Sequence, residues 1–145
     1  MSERQRPIVD LHAGCACGQV RVRVSGPVRA MLLCACRDCQ KTTGAGHAAV
    51  AILDADSVTV TGDTQSFDRP AASGATFTRT FCPTCGTPIH GRSSRWAEAL
   101  LLPPGLFDDN DWFAPTQLIF ARSHRDWDTV ADDIPWHETY RTKES

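Results

Sequence analysis

Apolar and polar residues alternate through much of this chain. Gln19-Val20-Arg21-Val22-Arg23-Val24 has the strict period of two of a half-buried strand, with Val20, Val22 and Val24 inward and Arg21 and Arg23 on a solvated face. Ile8 to His12 predicts a short strand before it and Val28 to Leu33 another after it, with Ser25-Gly26-Pro27 as the turn of an antiparallel hairpin. Further strands are predicted over His47 to Leu53, Ser57 to Thr61, Gln65 to Arg69, Ala75 to Phe81, Gly86 to Gly91, Ala97 to Leu102 and Thr116 to Arg122. Gly62-Asp63 and Ala71 to Gly74 separate three of them, and Arg92, Ser93, Ser94 and Arg95 make a break before the strand at Ala97. Alternation in Ala75 to Phe81 carries Phe77 and Phe81 to one face. Helical signals are few. Arg37 to Thr43 predicts a turn or two closed by Gly44 as a C-cap, and Asp128 to Asp132 a single turn. Pro103-Pro104-Gly105 is a hard stop followed by the acidic turn Gly105 to Asp109. From Ser123 the chain is polar, with Trp127, Ile134 and Trp136 as anchors wrapping the sheet, and Met1 to Arg6 is expected to fray. Strands at this spacing predict a mainly β, antiparallel fold.

Composition narrows the fold further. At 145 residues the chain fits one domain, residues 1–145, with a core over about 8–137. An apolar fraction of 41% with 10 Gly and 9 Pro suits a small, loop-rich β fold fastened by metal. The net charge of −2 offers no basic footprint for nucleic acid. No run approaches the ~18 apolar residues of a membrane span.

The chemistry lies in seven cysteines. Cys34-Ala35-Cys36-Arg37-Asp38-Cys39 places three thiols within one short segment. Cys15-Ala16-Cys17 and Cys82-Pro83-Thr84-Cys85, each followed by glycine, supply two pairs that together make a four-thiolate site. The cysteines thus divide as four and three. An odd count fits disulfides badly, and zinc accepts thiolates in a tetrahedron, so two zinc ions per chain are expected. One zinc with spare thiols, or an oxidised secreted domain, is the plainer alternative. The lack of an apolar signal segment at the start points to a reducing, cytoplasmic setting.

These motifs identify a resemblance. Gly14-Cys15-x-Cys17-Gly18-x-Val20-Arg21, then Cys34-x-Cys36-x-x-Cys39-x-Lys41-x-x-Gly44, then Phe81-Cys82-x-x-Cys85-Gly86-Thr87 are similar to the glutathione-dependent formaldehyde-activating enzyme family, to which centromere protein V belongs. Leu106-x-Asp108-Asp109 and Asp133-Ile134-Pro135 resemble its later signatures. The resemblance covers about Ala13 to Pro135. It implies an Mss4-like (β-tent) fold of antiparallel sheets, a structural zinc on Cys15, Cys17, Cys82 and Cys85, and a second zinc on Cys34, Cys36 and Cys39. The activity it implies is condensation of formaldehyde with glutathione to S-hydroxymethylglutathione, formally that of a carbon–sulfur lyase. Many members carry His where this chain has Ala35 and Gln117.

Three thiolates leave one corner of the tetrahedron open, and an open position is the mark of a chemical site. A thiol entering there deprotonates and becomes a nucleophile toward a small aldehyde. Arg37 and Lys41, with Arg92 and Arg95, are candidates to offset the negative charge and hold a carboxylate of a peptide-like thiol such as glutathione. Of the histidines His12, His47 and His90, His47 is the one weighed as a fourth protein ligand. Asp108 and Asp109 read as turn formers rather than a general base. The competing reading is a non-catalytic, zinc-stapled module that binds a protein partner. A homodimer is left open in either case.

Overall fold

The computed structural model describes residues 6–141, so most of the expected fraying at Met1 to Arg6 lies outside the described residues. Nine strands form an open, mainly antiparallel sheet. They are β1 (Ile8–Gly14), β2 (Arg21–Cys34), β3 (Ala48–Asp54), β4 (Val58–Thr61), β5 (Gln65–Pro70), β6 (Thr76–Phe81), β7 (Pro88–Ser93), β8 (Ala99–Leu102) and β9 (Leu118–Ile119). One short helix, α1 (Arg37–Thr43), follows β2. The path across the sheet runs β1-β2-β3-β8-β7-β6-β5, with β4 and β9 also paired to β2. β9 alone runs parallel to its neighbour.

The spine is β2. Its first half pairs with β1 on one side and β4 on the other, and its second half with β3 and β9. The hairpin expected at Ser25-Gly26-Pro27 is therefore absent: the strand continues through it, in register with Ile8, Val9 and Asp10. Pro27 has no N–H to contribute to a ladder. It falls after Val24, the last β2 residue paired with β4, and before Val28, the first paired with β3, so no bond is missed on that edge. Gly26 has a φ of 150°, and a side chain there would meet Ser57. These residues mark the change of partners rather than a reversal. The hairpin is instead β1–β2, whose turn holds Cys15 and Cys17, while the triad lies at the far end of β2.

Alternation holds as read, with Val20 just before β2 and Val22 and Val24 within it at most 2% exposed. Together with Val28, Met31, Ala51, Leu53, Ile89, Leu102 and Phe107 they build the main core. β3 is buried on both faces. Ala51 and Leu53 join the main core, while Ile52 packs with Leu32, Cys34 and Phe120 in a second cluster. Cys15 and Cys82 belong to the first cluster and Cys34, Cys36 and Cys39 to the second.

Five other expectations shift. β7 begins only at Pro88, because the Cys82–Thr87 turn occupies the preceding residues, and it extends through Arg92 to Ser93 where a break was expected. β8 starts at Ala99, after a tight turn closed by Ala99 N–H on the Trp96 carbonyl. The last strand is only Leu118–Ile119, since Phe120 adopts a left-handed φ of 57° and a 3-10 turn follows at Ala121–Ser123. No helical turn forms at Asp128 to Asp132, where Asp128 is instead bound by His47 and His124. Of the expected anchors, Ile134 packs beside Leu33 and Leu118 and the Trp136 ring lies 4.8 Å from that of His124, but Trp127 is 69% exposed. The stop at Pro103-Pro104-Gly105 is a 3-10 turn leading to buried Phe107, and Asp108 and Asp109 are exposed in the turn beyond it. No helix among the described residues is long and apolar enough to cross a membrane.

Candidate metal centre

Two cysteine groups have side-chain donors gathered within 4.8 Å of one another. The first joins two turns that are remote in sequence. In the β1–β2 turn, Cys15 N–H donates to Val20 O at 3.0 Å, Gly18 N–H to Cys15 O at 3.1 Å, and Val20 N–H to Cys15 Sγ at 3.2 Å. In the β6–β7 turn, Cys82 N–H donates to Thr87 O at 3.0 Å and Gly86 N–H to Cys82 O at 2.9 Å. Gly18 and Gly86 take φ values of 84° and 78°, a conformation that excludes most side chains and explains the glycine after each pair. The turns are also tied directly. Ala16 N–H donates to Thr87 Oγ1 at 3.1 Å, and Thr84 Oγ1 donates to Gln19 Oε1 at 2.7 Å.

Sulfur spacing supports a shared cation. Cys15 and Cys17 lie 3.5 Å apart and Cys17 and Cys82 3.7 Å. Zn–S bonds of about 2.3 Å imply tetrahedral edges of about 3.8 Å, whereas a disulfide requires about 2 Å. Acidity points the same way. The Val20 amide draws the Cys15 thiol down, and the Thr87 hydroxyl and amide hold Cys85 at about 5. The Gln19 amide also draws on Cys17, but burial and the neighbouring sulfurs outweigh it and push that thiol up to about 12. Four crowded sulfurs without a cation cannot all ionise.

The second group is built by one segment. β2 delivers Cys34, Ala35 N–H donates to Ile119 O at 3.0 Å, and Cys36 caps α1 by accepting Cys39 N–H on its sulfur at 3.3 Å. Gly44 closes the helix at φ 69°, as expected. Gln40 locks the segment in place: its amide donates to Ala35 O and to Ser123 O, each at 2.9 Å, and its oxygen accepts from Arg125. Hydrogen bonds from Cys34 and Cys39 draw Cys36 strongly down; the Cys36 sulfur in turn pushes Cys34 up to about 12, against a lowering contact from Cys39, and Cys34 and Cys36 together push Cys39 up. Without a cation, three sulfurs this close favour the thiolate at Cys36 and disfavour it at Cys34 and Cys39, and a divalent cation would favour the thiolate form of all three.

No fourth His, Cys, Asp or Glu among the described residues joins this triad within that distance. His47 is engaged elsewhere. Its Nδ1 lies 2.7 Å from Asp128 Oδ2, and His124 Nε2 lies 2.7 Å from Asp128 O. His12 sits on the surface beside Arg23, and His90 has a buried Nδ1 without a partner. Gln117, one residue before β9, is buried with its side-chain oxygen unpartnered.

The four candidate cations lie on the outside. Arg37 and Lys41 are exposed, and both are two residues from Cys39, on the opposite face of α1. Arg92 and Arg95 are exposed, and alternation turns Arg92 away from the face shared by Gly91 and its partner Arg79. The cations that do approach α1 are Arg69 and Arg79, which sequence reasoning missed. Arg69 reaches Asp38 at 3.3 Å, and Arg79 donates to Thr42 Oγ1 at 2.7 Å. The Phe-x-Arg spacing in both Phe67–Arg69 and Phe77–Arg79 was visible in the sequence, but the helix it faces was not.

With these groups in place, comparison with known proteins is informative. The family model for the glutathione-dependent formaldehyde-activating enzyme matches residues 10–123. The chain belongs to this family. A crystal structure of a Rhodobacter sphaeroides protein is similar in fold at a TM-score of 0.56 and 15% identity, covering 87% of this chain and 99% of that one. The mainly β, antiparallel reading of the sequence and its family resemblance both hold, and the two cysteine groups have donor sets consistent with zinc.

Proposed function

We propose that this protein is a zinc-dependent carbon–sulfur lyase-type enzyme, with Cys15, Cys17, Cys82 and Cys85 holding a structural zinc and Cys34, Cys36 and Cys39 a second zinc at the reacting centre. The reaction is addition of a thiol to a small aldehyde, with glutathione and formaldehyde as the first pair to consider because the family's description names them. The supporting observation is the triad without a fourth protein donor among the described residues, with His47 committed to Asp128.

Zinc with a free position, when bound, lowers the pKa of a thiol and so supplies a sulfur nucleophile at neutral pH. The chain's own part is to position. The Cys39 amide aimed at Cys36 Sγ and the Gln40 amide on Ala35 O hold the donors convergent. In the addition, a sulfur–carbon bond forms as the carbonyl π bond opens, and the thiol's proton ends on the former carbonyl oxygen. No oxidant or reductant enters. A reducing, cytoplasmic setting accords with this reading, because seven free thiols are retained.

Calorimetry of the zinc-loaded protein against glutathione, with NMR of hydroxymethyl adduct formation against the uncatalysed background, tests the proposal. Binding together with acceleration well above background is expected. Zinc-loaded protein that neither binds glutathione nor accelerates the addition overturns the glutathione assignment and leaves a zinc enzyme for another small substrate, or the interaction module.

A further inference from the structure

The β5–β6 hairpin carries a feature that neither the family description nor the cysteine motifs assign. Phe67 pairs with Arg79 and Arg69 with Phe77 across the two strands. Residues two apart on a strand share a face, so these four form a checkerboard on one side of the hairpin. Each guanidinium lies over a phenyl ring, Arg69 at 4.7 Å from Phe77 and Arg79 at 5.5 Å from Phe67. Stacking uses the flat face of each guanidinium and keeps its N–H donors at the planar edge, with the Arg69 side chain 19% exposed.

That face meets α1 beside the triad. Arg69 contacts Asp38, which stands between Cys36 and Cys39, and Arg79 contacts Thr42 one helical turn on. Gly91, opposite Arg79 on β7, leaves room for the Phe77 ring, which a side chain there would strike. The arginines are not consumed by these contacts. Each guanidinium has five N–H donors. Arg69 spends its contacts on one 3.3 Å approach to Asp38 and one 3.3 Å bond to Pro70 O, and Asp38 is itself half exposed. Arg79 donates to a neutral hydroxyl. Two guanidiniums against one carboxylate leave a net positive face next to a group of three thiols.

We infer that Arg69 and Arg79 form a carboxylate-binding rail that orients the thiol substrate and sets its preference for a carboxylate-bearing thiol. This rests on the proposed thiol site for its orientation. A carboxylate is the matching group because a stacked guanidinium presents two parallel donors that a carboxylate accepts in pairs. The rail then sets specificity, and Arg69 and Arg79 are binding rather than catalytic residues.

Three probes test it on zinc-loaded protein by calorimetry: glutathione, its diethyl ester (thiol kept, carboxylates masked) and S-methylglutathione (carboxylates kept, thiol masked). Wild type is expected to bind the diester at least about tenfold more weakly than glutathione, the scale of losing a hydrogen bond to a charged group. Arg69→Gln and Arg79→Gln, checked for zinc content and melting temperature, are expected to lose that preference, and Arg79→Lys to keep part of it. Equal binding of glutathione and its diester by wild type overturns the rail while leaving the thiol site standing. A preference that persists in both folded glutamine variants also overturns it. If S-methylglutathione binds through the arginines while the diester does not bind at all, the rail stands and the thiol site fails. Binding of none of the three removes both.

Discussion

Cys85→Ser removes one donor from the four-cysteine group while disturbing packing least, because Cys85 is exposed whereas Cys15 and Cys82 are buried in the main core. A serine hydroxyl is a poor zinc ligand, so the variant reports on the cross-link. That cross-link joins two turns that the sheet order separates: β2 and β7 have β3 and β8 between them. Cys17 and Cys82 are 65 residues apart, and fixing a loop of that length removes about 4 kcal/mol of unfolded-chain entropy. Cys36 and Cys39 are 3 residues apart, and the logarithmic length dependence makes their closure roughly 3 kcal/mol less consequential. Complete loss of the metal would remove that ~4 kcal/mol, a large fraction of the ~5–15 kcal/mol of a typical domain, and lower the melting temperature of a chain this size by about 10 °C; Cys85→Ser, which keeps three of the four donors, should fall by part of that. Circular dichroism melts of wild type and variant, each with and without EDTA, measure it. Chelated wild type should fall at least as far as the variant. A variant melting within about 2 °C of wild type, with EDTA moving neither, would refute the idea that a metal ties the two turns together.

Cys36→Ser should melt close to wild type, retain one zinc and lose glutathione binding, whereas a large drop in stability would make the triad a folding element. Elemental analysis of protein purified without chelator should give two zinc ions per chain, and a value near one with three titratable thiols would remove the second site. His47→Ala should cost about 1 kcal/mol through the lost Asp128 contact and leave the zinc content unchanged; loss of one zinc would instead make His47 a ligand. His90, whose pKa is lowered by burial and then by Arg92, stays neutral in the folded state longer than in the unfolded chain, so acidification below about 6.5 favours unfolding. Wild type should therefore lose stability faster than His90→Gln as the pH falls below about 6.5, and parallel pH profiles would dismiss the effect.

Period-two alternation determined most strands without any tertiary information, because a half-buried strand forces that pattern on Val20, Val22 and Val24. Cysteine spacing determined the division into four and three, since a short segment can converge its own sulfurs and a glycine after each pair permits the turn. What the sequence alone could not decide depended on partners distant along the chain. Ser25-Gly26-Pro27 has the composition of a turn, yet β1 pairs straight through it, and only the change of partners from β4 to β3 explains why glycine and proline are tolerated there. His47 looked available as a ligand until Asp128, 81 residues later, met its ring. Arg37 and Lys41 are close to the triad in sequence but lie on the far side of α1, whereas Arg69 and Arg79 are remote in sequence and contact the helix. Local pattern fixes which face a side chain takes within its own element; which element that face meets is set by the pairing of the whole sheet.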